Sequence, residues 1–358
     1  MIKKIMTALA AVLMLTVAAC GVREDEVPAA PGTQIERYGF MMGTRVSVRA
    51  NVDESDRDWY AVLDEAIERV ARYEEKFTVN DDDAESEVEK INRYAGIEPV
   101  AVSPETFALV EYGVYYSEIS GGLFNGAIGP LVKLWNINFD GARRPELEEV
   151  EAVLHLLDYE GIILDEENQT VFLRDEGMRL DLGGIAKGFV ADQITDFLVE
   201  NGIENGIIDM GGDLFALGNG LTGNPWRIGI QDPNYSRSAG GRENVGVLPV
   251  TSQAVVTSGV YERFVEVDGV AYHHLLNSET GFPFETGLVS VSIVSDRAVD
   301  GEGLTKIVFG MGLEAGMEFI EAFDGAEAIF ITRNNEIALS SGLKDVFTLA
   351  STNFTLLD

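Results

Sequence analysis

Two short apolar runs in this chain each end in a pair of glycines: Leu180-Asp181-Leu182-Gly183-Gly184-Ile185-Ala186-Lys187-Gly188, and Ile208-Asp209-Met210-Gly211-Gly212-Asp213. Paired glycines let the backbone turn without a Cβ to shield it, and the first pair leads into apolar residues at helical spacing. Bare N–H groups are therefore expected at the mouth of a helix, a setting suited to phosphate. Alone the signal is weak. The first loop lacks the Walker A spacing and its Ser/Thr, and it is not G-x-G-x-x-G, so a purely structural glycine turn reads the same way.

The surrounding pattern predicts an α+β fold. Ile35 to Val52 reads as an opening strand with Val46, Val48 and Ala50 on one face, and Trp59 to Phe77 as a helix buried along one stripe. Ser103-Pro104-Glu105 starts a helix that runs to Ile119 and stops at Gly121-Gly122, and another is expected from Pro145 to near Asp158. Ile162–Leu164 and Val171–Leu173 form a hairpin, and Ala186–Leu198 a helix closed by Asn201-Gly202. Asp268-Gly269 turns a second hairpin, residues 289 to 293 alternate as a strand, and Leu304 to Phe323 reads as one helix.

Lys3 and Lys4 precede an apolar stretch too short for a typical membrane span, and Val17-Ala18-Ala19 places small residues before Cys20, the single cysteine. Residues 1–19 read as a secretory signal. The junction resembles a bacterial lipobox, which implies a lipid on Cys20, a membrane anchor in the cell envelope and a tether over residues 20–33 before a domain spanning 34–358. The net charge is −34, and it becomes −36 once residues 1–19, with two lysines and no acid, are removed. Such a surface excludes nucleic-acid binding, and an anionic ligand must be held by a local cation, a metal or backbone amides. Three histidines and one cysteine disfavour a zinc hydrolase, and no strand leads into a dinucleotide fingerprint.

Met42-Gly43-Thr44, Gly129-Pro130-Leu131-Val132-Lys133-Leu134-Trp135, Asp181 to Gly188, Gly211-Gly212-Asp213, Thr257-Ser258-Gly259 with Tyr261-Glu262-Arg263, and His273-His274-Leu275-Leu276 with Thr280-Gly281-Phe282-Pro283 follow in order. In that order they resemble the ApbE-type flavin transferase family from about Gly39 onward. The resemblance implies a two-lobed fold with mixed and antiparallel sheets, flanking helices and FAD between the lobes. It implies an exported enzyme that, with Mg2+, cleaves the FAD pyrophosphate, releases AMP and leaves FMN esterified to a threonine of an exported redox protein. The chemistry needs charge neutralisation on the diphosphate, a base for the incoming hydroxyl and a slot for the flat ring.

Candidate FAD contacts are Met42, Asn80, Asp181, Gly183, Gly184, Ala186, Lys187, Gly211, Gly212, Asp213, Thr257, Ser258 and Gly259. His274 is the candidate base and Lys187 a candidate catalytic cation. His273 should face the other side of its strand, His155 reads as packing, and Trp135 suits either core or ring wall. The family's metal site implies the Ala186 carbonyl together with Asp and Thr side chains four apart, which align here with Glu302 and Lys306. Thr305 could substitute only after a local helix shift, and Asp300 could reach in from upstream. A protonated ammonium is no metal ligand, so Glu302 and Lys306 are expected to pair at i, i+4, with Lys306 partly replacing the cation. Asn125 and Asn277 replace family aspartates, and Ala127 a threonine, which predicts reduced charge near the site. Asn80 leaves room for FAD pyrophosphatase activity, and the departures together leave room for a catalytically weak, lipid-anchored FAD-binding protein.

Overall fold

The computed structural model describes residues 32–53, 57–79, 85–234 and 243–357. Its centre is a nine-stranded sheet whose strands lie side by side in chain order. They are β1 (Thr33–Met41), β2 (Thr44–Val52), β3 (Gly206–Met210), β4 (Leu214–Leu217), β5 (Gln253–Gly259), β6 (Leu288–Ser295), β7 (Ala326–Thr332), β8 (Glu336–Leu339) and β9 (Thr355–Leu356). Neighbours are antiparallel except β8 and β9.

Strand periodicity sorts the cores. Along β5, Ala254 and Val256 face the helical layer, whereas Val255 faces a three-stranded sheet of residues 226–231, 244–250 and 348–349. The helical layer holds α1 (Trp59–Phe77), α2 (Glu87–Arg93), α3 (Pro104–Ile119), α4 (Gly129–Trp135), α5 (Leu147–Leu154), α6 (Ala186–Glu200), α7 (Ala298–Met311) and α8 (Leu313–Glu321). In α1, Leu63, Ala66, Val70 and Phe77 are buried at helical spacing, and Asp58 accepts from Ala61 N at 3.1 Å to cap the start. Among the described residues no helix is long and apolar enough to cross a membrane.

The α+β expectation holds. Three local readings differ. Ile35–Val52 is a hairpin, because Met42 and Gly43 adopt positive φ (53° and 69°) between β1 and β2. The helix expected over Leu304–Phe323 starts at Ala298 and breaks at Gly312, φ 79°, into α7 and α8. The helix expected from Pro145 to Asp158 is only Leu147–Leu154, capped by a reciprocal Glu146–Glu149 box.

The join between α6 and α7 positions the site. Buried Asp192 of α6 accepts from Ala298 N at 2.8 Å and Val299 N at 3.0 Å, so α6 caps α7. Burial pushes that carboxyl up to about 6 despite these bonds. One turn into α6, a Cβ on Gly188 would lie 2.4 Å from Ala298 O and 2.7 Å from its carbonyl carbon. Both obstacles are backbone, which cannot rotate aside. Gly188→Ala is therefore expected to cost about 3 kcal/mol of stability, read as a lower midpoint in urea unfolding.

Candidate active site

Lys187, on the first turn of α6, reaches across to two carboxylates. Its Nζ lies 2.5 Å from Asp213 Oδ2 and also donates to Glu302 Oε1. Glu302, on α7, is fully buried, and its Oε2 accepts from Gly188 N at 2.8 Å. Asp213, after β3, accepts from Thr257 N of β5 at 3.2 Å. Burial alone would lower the Lys187 pKa, but Asp213 and Glu302 outweigh it and hold the ammonium above its ordinary value. Burial likewise pushes Asp213 up, and Lys187 with Lys306 brings it below the usual carboxylate range.

The two glycine loops flank this cluster. The Gly183 amide, expected bare, donates to Asp181 Oδ1 at 2.9 Å, and that of Gly212 to Asp209 Oδ1 at 2.7 Å. The amides of Gly184 and Gly211 donate to no described residue. Gly211 has φ 81°, and a Cβ there would fall 2.0 Å from Thr44 Oγ1, so the Met42-Gly43-Thr44 turn packs directly on the second loop. Half-buried Met42 donates its N–H to Glu74 Oε1 at 2.7 Å. Asp181, its pKa raised by burial, lines a cavity of about 360 Å³ with Val79, Val132, Lys133, Asn136, Phe139 and Asp140.

The two histidines point apart, as strand alternation requires. His273 is buried, bonds Phe284 O through Nε2 at 3.1 Å and stands edge-on to Phe309. His274 is half-buried, and its Nδ1 lies 3.2 Å from Arg263 O. A carbonyl only accepts, so Nδ1 carries the hydrogen and Nε2 keeps its lone pair. Removal from water, with Arg263 and Lys306 nearby, lowers its pKa to about 3, so the imidazole is neutral at working pH. Glu262, open to solvent at one edge, is pushed up to about 7 by partial burial and by the Asp213 carboxylate.

The chain matches the ApbE family over residues 42–330. It belongs to the ApbE family. Among ApbE relatives, it is 38% identical over 298 residues to an FAD:protein FMN transferase of Klebsiella pneumoniae, covering 83% of this chain and 90% of that one. A Treponema pallidum FAD:protein FMN transferase is 35% identical over 336 residues, 90% of this chain and 91% of the other. The crystal structure of the ApbE protein from Thermotoga maritima superposes with a TM-score of 0.78 at 31% identity, over 88% of this chain and 99% of that one. The flavin transferase ApbE from Vibrio cholerae gives 0.76 at 27%, over 88% and 100%.

Several expected site residues sit differently in this ApbE chain. Glu302 pairs with Lys187 and not with Lys306, since α6 brings a cation to its carboxylate from outside the helix. The Thr305 hydroxyl is turned into the sheet, where it accepts from Ser258 Oγ at 2.9 Å and donates to Glu302 O at 2.8 Å. Ser258 is thus engaged in packing, and the Thr257 hydroxyl bonds Ser292 Oγ at 2.7 Å. Gly259 lies against the Tyr261 ring, where a Cβ would come within 2.5 Å. Asp300 is bonded by the buried Tyr116 hydroxyl at 2.5 Å. Trp135 is core, its Nε1 donating to Gly281 O at 2.9 Å, and His155 is exposed at the end of α5 instead of packed. Asn80 and Cys20 lie outside the described residues.

The residues present do not fit a resident magnesium ion on Ala186 O, Glu302 and position 306. Both Glu302 oxygens already accept N–H groups, and position 306 offers an ammonium. Among the described residues, no group of three or more His, Cys, Asp or Glu side chains gathers in one place. The sequence reading also missed Lys133 as a cavity wall and Arg263 as the carbonyl that sets the His274 tautomer. Both lie inside quoted motifs, which was the available signal.

Three stability outcomes follow. Lys187→Met strands the buried carboxylates of Glu302 and Asp213 and should cost about 3 to 5 kcal/mol in urea unfolding, with part of that recovered by adding Glu302→Leu. Buried Asn125 donates Nδ2 to Leu157 O at 2.7 Å while Oδ1 accepts from Ala127 N at 2.8 Å, so the amide is structural. Asn125→Asp sets a carboxylate against that carbonyl and should cost about 2 kcal/mol. Asn277 uses only Oδ1, for Glu279 N and Thr280 N, and Asn277→Asp should stay within about 0.5 kcal/mol.

Proposed function

We propose that this chain is an FAD:protein FMN transferase that moves FMN from FAD onto a threonine hydroxyl of an exported redox protein. The observation that carries the reading is His274: a neutral imidazole with its Nε2 lone pair free, in the same electrostatic neighbourhood as Lys306, the Lys187 cluster and the Gly184 loop. Relatives at 38% and 35% identity are named FAD:protein FMN transferase, which supports the transfer of FMN to a protein. The acceptor oxygen bonds to the flavin-side phosphorus, the bond from that phosphorus to the bridging oxygen breaks, and AMP leaves with that oxygen. The hydroxyl proton passes to His274 Nε2. Open amides of Gly184 and Gly211 meet charge on the diphosphate, and the cavity beside Asp181 receives a flat ring. Export and a lipid on Cys20 would hold the enzyme at a membrane beside its acceptor.

Incubation with FAD and a threonine-bearing acceptor peptide tests this. A flavin-labelled peptide with stoichiometric AMP is expected. Free FMN plus AMP would make the chain a pyrophosphatase, and intact bound FAD a binding protein. His274→Ala should lower kcat by about 10²- to 10⁴-fold while leaving FAD affinity within about threefold.

The pH dependence has a definite sign. Glu262 is neutral below about 7 and anionic above it, so its charge opposes the diphosphate as pH rises. FAD affinity measured by fluorescence should fall about three- to tenfold from pH 6 to pH 8. In Glu262→Gln that slope should be absent.

A further inference from the structure

We propose that Lys306 is a built-in counter-charge for the FAD diphosphate, so that this chain binds FAD without a divalent cation. The proposal rests on the transferase reading and adds which group meets the linkage.

Two of the carboxylates near Lys306, those of Glu302 and Asp213, are turned to other donors. Glu302, one helical turn before it, gives both oxygens to Lys187 and Gly188, and Asp213 gives its oxygens to Lys187 and Thr257. The Lys306 ammonium makes no hydrogen bond or ion pair with a described residue. It is half-buried, and its Cε lies 3.8 Å from where a Cβ on Gly184 would be, so its arm runs past the loop whose amide is also open. Lys187, by contrast, is already spent on two carboxylates. Burial and the like charge of Lys187 lower the Lys306 pKa, and Glu302, Asp213 and Glu262 act against that loss from a distance. An ammonium kept from water without a direct partner costs free energy that an arriving dianion returns. The same position cannot supply an oxygen ligand, so metal and ammonium are alternatives there.

FAD binding by the full chain, followed by flavin fluorescence in EDTA and in magnesium, decides the matter. The wild type should bind FAD with Kd values within about threefold in the two buffers, and Lys306→Met should weaken FAD about tenfold or more in EDTA. Lys306→Arg should restore most of the affinity, and riboflavin, which lacks the diphosphate, should bind wild type and Lys306→Met alike, showing that the variant remains folded. The idea is overturned if wild-type binding needs magnesium, if Lys306→Met binds FAD normally, or if riboflavin is lost in parallel. In the first two of these results the transferase reading survives. Failure to take up FAD in either buffer overturns both.

Discussion

A single buried ammonium ties together the parts of this molecule that do chemistry. Lys187 on α6 meets Asp213 from the β3–β4 turn and Glu302 from α7, elements separated by 26 and 115 positions in the chain. Taking three charges out of water is costly, and such a group persists only when its remaining lone pairs are satisfied. Here Gly188 N and Thr257 N supply that satisfaction. Glycine is needed at 188 because its missing Cβ lets α6 approach the backbone of α7, which brings its amide within reach of Glu302. The stability of the core and the placement of the site are the same set of contacts.

Local regularities were legible in the sequence where one element decides its own form. The α1 stripe, the Pro104 start of α3, the Asp268-Gly269 hairpin and the alternation of β6 all sit where periodicity and turn chemistry place them. The Met42-Gly43 turn was hidden because alternation runs through it and methionine at positive φ is no ordinary turn signal. Gly312 was read through because a glycine within an apolar periodic run is often tolerated, whereas here its φ of 79° ends one helix and starts another.

Partners far along the chain were the part that spacing could not give. An i, i+4 acid and base invite pairing on an isolated helix for a few tenths of a kcal/mol. Between Glu302 and Lys306 that gain is outweighed by a buried cation arriving from α6. Trp135 and Asn125 are settled by carbonyls 146 and 32 positions away. What looked like charge lost beside a site at Asn125 is a side chain that must donate and accept at once, which an ionised aspartate cannot do.

The two adjacent histidines show how the fold divides one residue type into two roles. Strand alternation sends His273 into an apolar wall, where Phe284 and Phe309 hold it. It sends His274 to the cationic side, where Arg263 fixes its tautomer, and removal from water, aided by the nearby positive charge of Arg263 and Lys306, keeps it unprotonated. A base in such surroundings is weak before substrate arrives. A dianion bound between His274 and Lys306 offsets the part of that depression due to positive charge, so the imidazole gains basicity at the moment a proton must be taken. Within the transferase reading, binding the diphosphate and arming the base are one electrostatic event.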